Sequence, residues 1–186
     1  RLSGRRVPRY LLPATTIGYA APGAVLGIGL IIPLAAFDNR LADRVLALTG
    51  FDPGLMLTGT ALAIMLAYFV RFFAIAQGAV DAAMGRIPPA LPMAARSLGR
   101  SARGTLAAVH LPLIRTSLAT ALLLVFVDGV KELPATLLLR PFNFNTLATR
   151  VYDHASLENL GAASPAAVMV MAVGFVAVVM LARSSR

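Results

Sequence analysis

Long uncharged runs constrain this chain more than any other feature of its sequence. One run extends from Tyr10 to Phe37 over 28 residues, and another extends from Asn159 to Ala182. A helix needs about 20 apolar residues to cross the hydrocarbon of a bilayer. Backbone groups in lipid must be hydrogen-bonded within their own segment, and no alternation of apolar and polar residues indicates a barrel. The runs therefore predict membrane helices.

Four segments qualify as membrane spans, at residues 15–37, 55–80, 113–133 and 165–182. The predicted fold class is an all-α polytopic membrane protein, with one partial helical-bundle domain over residues 1–186. Hydrophobic residues make up 58% of the chain and charged residues 13%, whereas soluble domains carry about 25% charged residues. This composition excludes a soluble domain and a disordered chain.

The alternation of the spans places most basic residues on one side of the membrane. That side carries Arg1, Arg5, Arg6, Arg9, Arg86, Arg96, Arg100, Arg103, Arg115, Arg183 and Arg186, and the other carries Arg40, Arg44, Arg140 and Arg150. The positive-inside rule then makes loop 86–112 cytoplasmic and loops 38–54 and 140–164 periplasmic. Because these charges flank apolar runs, we interpret them as anchors at the lipid surface and expect no nucleic-acid partner.

The predicted cytoplasmic loop contains a helical hairpin. Three prolines between residues 88 and 92 end the preceding structure and favour a new helix start. Gly99 suits a left-handed C-terminal cap, and Ser101 suits the N-cap of a second short helix. Ala94, Ala95 and Leu98 are predicted to share one side of the first helix. Pro112 then opens the third span.

The spacing of this hairpin resembles the cytoplasmic "EAA" loop of the binding-protein-dependent (MetI-like) ABC transporter permeases. Ala94, Ala95, Gly99, Leu111 and Pro112 match its pattern, Val109 replaces an isoleucine, and Met93 stands where the family usually has glutamate. The resemblance implies a coupling helix that docks into a cytoplasmic ATPase subunit. Its expected coupling residues are Met93, Ala94, Ala95, Leu98, Gly99, Leu111 and Pro112. The alternative is a basic interfacial hairpin without a partner.

Residues 126–136 and 139–152 are similar to the ferric-iron branch of these permeases. The resemblance implies the last four helices of the second half of a permease in a bacterial inner (plasma) membrane. Its partners would be the ATPase, a periplasmic solute-binding protein, and the remaining half or a second copy of the permease. Other solutes remain open, namely thiamine, phosphonate, sulfate or polyamine, as do a channel, a secondary transporter and a membrane enzyme.

No catalytic set of residues is recognisable in the sequence. There is no Walker motif, no nucleophile–base pair and no metal motif, so we expect neither an enzyme nor a cofactor in this chain. ATP hydrolysis would then belong to another polypeptide.

Charged residues near the end of the third span are candidates for a functional site. Asp128, Lys131 and Glu132 have helical spacing, which places them on one side of a continuous helix. They either line a pathway for a cation or brace the outer end of the span. Pro134 is expected to break the helix just after them, where the irregular backbone must face water or protein.

Two features of the first and second spans point to helix packing. Gly23 and Gly27 share a helix face, which serves close packing within the bundle or, alternatively, a dimer contact. Arg71 lies inside the second span and is expected to snorkel or to pair with an acid in a helix that this chain lacks, rather than to bind substrate directly.

The long outer loop contains a predicted short helix within residues 145–160. Its candidate contacts with the solute-binding protein are Arg150, Tyr152, Asp153 and Glu158. His154 and Glu158 have i, i+4 spacing and, with Asp153, invite a metal-site interpretation. The set offers few ligands, so we predict no metal site there.

Overall fold

The structure, a computed structural model, describes residues 15–184, and it is helical throughout its regular parts. Residues 15–20 are helical, and a break at Ala21 and Pro22 separates them from the next helix. The helices that follow are α1 (Gly23–Thr49), α2 (Ala61–Gly85), α3 (Ala90–Ser97), α4 (Ala102–Thr105), α5 (Leu111–Val130), α6 (Pro134–Leu139), α7 (Leu147–Ala155) and α8 (Leu160–Ser184). A π-helical turn, Leu106–His110, joins α4 to α5.

Four helical segments are long and apolar enough to cross a membrane: Gly23–Thr49, Ala61–Gly85, Ala102–Val130 and Leu160–Arg183. This confirms the predicted all-α polytopic fold class. At most 22% of the apolar stretch of each segment is buried, so lipid or further helices must cover the rest. Arg1, Arg5, Arg6, Arg9 and Arg186, which entered the charge comparison, lie outside the described residues.

The first predicted span differs from the structure at both ends. It is interrupted at Ala21 and Pro22, because a proline disfavours helical geometry in the residue before it. Helix α1 then continues past Phe37 to Thr49, so the predicted loop 38–54 is helical over most of its length. Gly50 ends α1 in a left-handed conformation (φ 71°), and its N–H donates to the Leu46 carbonyl at 2.8 Å.

Asp38 organises the connection between α1 and α2. Its carboxylate is 1% exposed and accepts the backbone N–H groups of Met56, Leu57 and Thr58, at 3.3, 2.9 and 2.6 Å. These bonds hold the preceding segment as a loop, and α2 therefore begins at Ala61 with Thr60 as its N-cap rather than near residue 55. The helix also runs beyond its predicted end at residue 80, to Gly85.

The second arm of the hairpin and the third span form one continuous helix. The π-helical turn lies one turn after the start of this helix, and the Leu111 N–H donates there to the Leu106 carbonyl five residues earlier. This wider turn lies just before Pro112, which lacks an N–H and would otherwise crowd the preceding turn. The span then ends at Val130, three residues before its predicted end, and the break before Pro134 follows as predicted.

The core lies where α1, α2 and α6 meet. Its buried apolar residues are Leu26, Leu34, Ala63, Ile64, Ala67 and Leu139. Gly23 and Gly27 both face α6: a Cβ on Gly27 would lie 2.9 Å from Leu138 Cδ1, and a Cβ on Gly23 would lie 3.4 Å from the Ala135 nitrogen. The glycine face therefore serves packing within this bundle, the first of its two predicted uses.

The closest approach of a glycine to a neighbouring backbone is at Gly18, and it yields a stability prediction. A Cβ there would lie 2.4 Å from the Val70 carbonyl oxygen, which belongs to α2 and cannot easily move. We expect Gly18→Ala to destabilise the full-length protein by about 1–3 kcal/mol. Gly29→Ala is the control, because no atom lies within 4 Å of the added methyl group. Thermal unfolding of both purified variants in detergent measures the difference, and equal melting temperatures would contradict this packing.

Candidate functional site

The hairpin at one end of the bundle is built from α3 and α4. Helix α3 begins at Ala90, after Pro88 and Pro89. Gly99 adopts the left-handed conformation predicted for it (φ 79°), and Ser101 Oγ accepts the Gly104 N–H at 3.1 Å as the predicted N-cap. The two short helices are thus fixed by their own capping residues, and the hairpin packs against the π-helical turn.

The hairpin presents apolar side chains at its tip. Met93 is 64% exposed and Leu98 is 84% exposed, whereas Ala95 is buried against the rest of the hairpin. The Leu98 N–H donates to the Ala94 carbonyl at 3.1 Å, so Leu98 lies one turn after Ala94, and both residues are exposed. Exposed arginines surround the tip, at positions 96, 100 and 103. Leu111 and Pro112 lie at the start of α5, away from this tip.

A buried ion pair joins α2 to the break between α5 and α6. Arg71 Nε lies 3.0 Å from Glu132 Oε2, and the two side chains are 20% and 6% exposed. Arg71 also donates through Nη1 to the Ala21 carbonyl at 3.1 Å. Glu132 Oε1 accepts the Ala135 N–H at 3.3 Å. One pair thus contacts the break at Ala21 and Pro22 and also the break that precedes Pro134.

Two hydroxyl groups extend this network. Thr136 Oγ1 donates to the Glu132 carbonyl at 3.0 Å, and Tyr68 shares a 2.7 Å hydrogen bond with Thr136 Oγ1. We call Arg71, Glu132, Thr136, Tyr68 and the Ala21 carbonyl the polar junction. Arg71 lies about 15 Å along α2 from Ala61, which places the junction well inside the span.

The three charges predicted to share a helix side are separated in the structure. Helix α5 ends at Val130, so Glu132 leaves the helical register and turns inward to Arg71. Asp128 instead pairs with Lys131, whose Nζ lies 2.7 Å from Asp128 Oδ1. Arg71 therefore finds its acid within this chain, and the prediction of a partner in a missing helix is wrong.

Asp128 also lines a cavity between residues 15–20, α2 and α5. The cavity has a volume of about 390 Å³ and is lined by Thr16, Tyr19, Ala74, Ile75, Leu124 and Asp128. We call it the Asp128 cavity. Thr16 and Tyr19 were not predicted as site residues, since nothing but their polarity within an apolar run distinguishes them.

The short helix of the 140–164 loop is α7, and a capping box of Thr146 and Thr149 starts it. Asp153 is bound by both terminal nitrogens of Arg140, at 2.8 and 3.1 Å. These hydrogen bonds hold the pKa of Asp153 below its ordinary value. Arg150 and Tyr152 remain exposed on the helix surface.

His154 and Glu158 do not share a helix face, contrary to the spacing considered above. Helix α7 ends at Ala155, and Glu158 adopts a left-handed conformation (φ 58°) in the following turn. Within residues 15–184, no three histidine, cysteine or acidic side chains are grouped as a metal site.

Comparison with known proteins gives one family and two relatives. The family model described as "Binding-protein-dependent transport system inner membrane component" matches residues 1–186. The Fe(3+)-transport system permease protein FbpB 2 of Haemophilus influenzae is 29% identical over 153 residues, which cover 82% of this chain and 27% of that protein. The putative ferric transport system permease protein FbpB 1 of the same organism is 30% identical over 138 residues, which cover 74% of this chain and 18% of that protein. The chain thus matches about a quarter or less of their length.

The polar junction predicts an asymmetric response to substitution. Arg71→Met leaves the Glu132 carboxylate buried without its cation, and we expect the full-length protein to lose about 3–5 kcal/mol of stability. Arg71→Met combined with Glu132→Gln removes both charges and is expected to recover much of that loss. The comparison is made by thermal unfolding in the same detergent.

Arg140→Met is the matched control, because it removes an arginine from a more exposed pair outside the spans. Its expected cost is below about 1 kcal/mol. A double variant less stable than Arg71→Met alone would contradict a mutually dependent pair. An Arg140→Met variant that loses as much stability as Arg71→Met would contradict the burial of the Arg71–Glu132 pair.

Proposed function

We propose that this chain, which belongs to the family of binding-protein-dependent transport system inner membrane components, forms part of the membrane permease of an ATP-driven (ABC) importer. The observation that carries the proposal is the capped hairpin at one end of the bundle, with an apolar tip inside a basic rim. The family is one of transport components, and ATP hydrolysis is assigned to a separate cytoplasmic subunit.

In this proposal the hairpin docks into a groove of the ATPase. Full burial of Met93 and Leu98 would contribute about 1.5–3 kcal/mol each, which is enough to make the tip a firm contact. The surrounding arginines suit an acidic rim on the partner. Met93, at the position where the family usually has glutamate, makes this contact apolar rather than ionic.

Movement of the hairpin reaches the interior of the membrane through one helix. Residues Ala102–Val130 form a continuous helical segment of about 43 Å, and its far end carries Asp128 and leads into the polar junction. A displacement of the hairpin on ATP binding would therefore shift the breaks in the spans. This provides a physical route for alternating access.

The orientation follows the charge distribution. The hairpin faces the cytoplasm, and α7 with its flanking loops faces the periplasm, where it meets the solute-binding protein. Arg150, Tyr152 and Glu158 are exposed for that contact. Asp153 contributes indirectly, since its pairing with Arg140 holds α7 against the end of α6.

Ferric iron is the solute we propose, because both relatives are named as ferric transport permeases. The carboxylate that lines the Asp128 cavity suits a cation better than the anions sulfate and phosphonate. Uptake of labelled ferric iron by the full-length transporter, with thiamine and polyamine as competitors, tests this choice. Strong competition by thiamine or by a polyamine would identify that competitor as the transported solute and would not affect the permease proposal.

Crosslinking to the ATPase tests the permease proposal itself. This chain has no cysteine, so Leu98→Cys gives it a single reactive position on the exposed tip. In full-length permease cleared of other cysteines, we expect a crosslink from this position to the ATPase subunit that changes in yield with ATP. Leu157→Cys, which is similarly exposed in the 140–164 loop, is the control and should give none. A crosslink from Leu157 instead of Leu98 would overturn the proposed orientation.

A further inference from the structure

The Asp128 cavity lies deep within the spans. Two of its lining residues, Ala74 and Ile75, are on α2. They lie about 20 Å along the helix from Ala61 and about 15 Å from Gly85, so neither end of the helix is close. At that depth an ionisable side chain is costly unless it is paired or serves a pathway. The depth of Asp128 therefore indicates a role other than contact with bulk water.

The cavity combines three oxygen-bearing side chains with an apolar wall. Thr16 contributes a hydroxyl, Tyr19 a phenol and Asp128 a carboxylate, and these face Ala74, Ile75 and Leu124. Carboxylate, phenol and hydroxyl oxygens suit hard metal cations. Soft ligands are lacking, because the lining has no sulfur and the chain has no cysteine.

The two acids of this region are held in different ways. Glu132 is 6% exposed, and it is fixed by Arg71 on one oxygen and by the Ala135 N–H on the other. Asp128 is 24% exposed and pairs with Lys131, which is 62% exposed at the very end of α5. A lysine ammonium is a point charge on a flexible stem, so it can leave this pair without disturbing the packing. Glu132 is thus a structural acid, whereas Asp128 is available for exchange.

We propose that the Asp128 cavity is a transient site for a hard metal cation and that the Lys131 ammonium, which pairs with Asp128 in the resting state, is displaced when the cation binds. The site rests on the proposed permease function and refines it. Without cargo, the ammonium neutralises the carboxylate. A multivalent cation that reaches the cavity competes for Asp128 with a higher charge, and Lys131 then turns away from the carboxylate.

Terbium(III) luminescence tests this exchange directly. Tb³⁺ is a hard trivalent cation that prefers oxygen ligands, and its emission is sensitised by a nearby tyrosine. Tyr19 lines the cavity, so emission that Tyr19→Phe removes arises from a Tb³⁺ ion bound there. Full-length transporter in detergent, without ATP, is titrated with Tb³⁺ as wild type and as single variants.

Removal of the competing ammonium by Lys131→Gln should tighten Tb³⁺ binding by about tenfold, and removal of the acid by Asp128→Asn should weaken it by about tenfold. Lys131→Arg keeps the positive charge and should stay near the wild type. Tyr19→Phe should reduce the sensitised emission at saturation. Arg44→Gln, which removes an exposed cation far from the cavity, is the matched control and should leave the titration unchanged.

An affinity that Lys131→Gln does not raise overturns the exchange. Lys131→Gln changes an exposed side chain and is expected to fold normally. Its result therefore remains informative even if Asp128→Asn fails to assemble. Emission that persists unchanged in Asp128→Asn overturns the site. ATP-driven ferric-iron uptake by the wild type is measured in parallel in proteoliposomes. The absence of ferric-iron uptake would refute the proposed substrate. Normal uptake, together with Tb³⁺ titrations that are the same in the variants and the wild type, would refute the cavity proposal alone.

Discussion

The need to satisfy every polar group inside the hydrocarbon governs this structure. Two of its spanning segments are interrupted, at Ala21–Pro22 and at residues 131–133, and each interruption leaves backbone groups without helical partners. The Arg71–Glu132 pair meets this need at both places, since it binds the Ala21 carbonyl on one side and the Ala135 N–H on the other. Either charge alone at this depth would be costly, so the breaks and the ion pair depend on each other.

This junction also determines how the remaining parts are arranged. It holds α6 against the glycine face of α1, and α6 leads to Arg140, which binds Asp153 and positions α7. In the other direction, α5 runs back without interruption through the π-helical turn to the hairpin. The proposed ATPase contact and the proposed cation site therefore lie toward opposite ends of one continuous helix. The break after Val130 ends that helix beside the polar junction.

Much of this arrangement could be predicted from local sequence. The spans follow from uncharged runs, the hairpin from Gly99 and Ser101, and the break before Pro134 from the chemistry of proline. The glycine face of α1 follows from a four-residue spacing. Each of these signals acts within a few residues, which is why sequence reasoning detects it.

Other features depend on contacts between distant residues. The helical spacing of Asp128 and Glu132 suggested a common face, but the helix ends between them, and Glu132 turns inward to pair with Arg71 on a distant helix. The extension of α1 to Thr49 lies beyond the apolar run, where hydropathy gives no signal, and Asp38 is paired with a loop about 20 residues away. Tyr19 reaches its cavity only through the packing of three helical segments, which no local pattern encodes.

The position of Arg71 in the membrane is the most direct test of whether the Arg71–Glu132 pair supports the helix breaks within the hydrocarbon. A cryo-EM structure of the full-length transporter in a lipid nanodisc would show the side chain and the bilayer together. We expect Arg71 Nε to remain about 3 Å from Glu132 Oε2, at the level of the acyl chains and next to the Ala21 carbonyl. An Arg71 side chain extended to the lipid headgroups, with Glu132 paired elsewhere or exposed, would contradict this expectation.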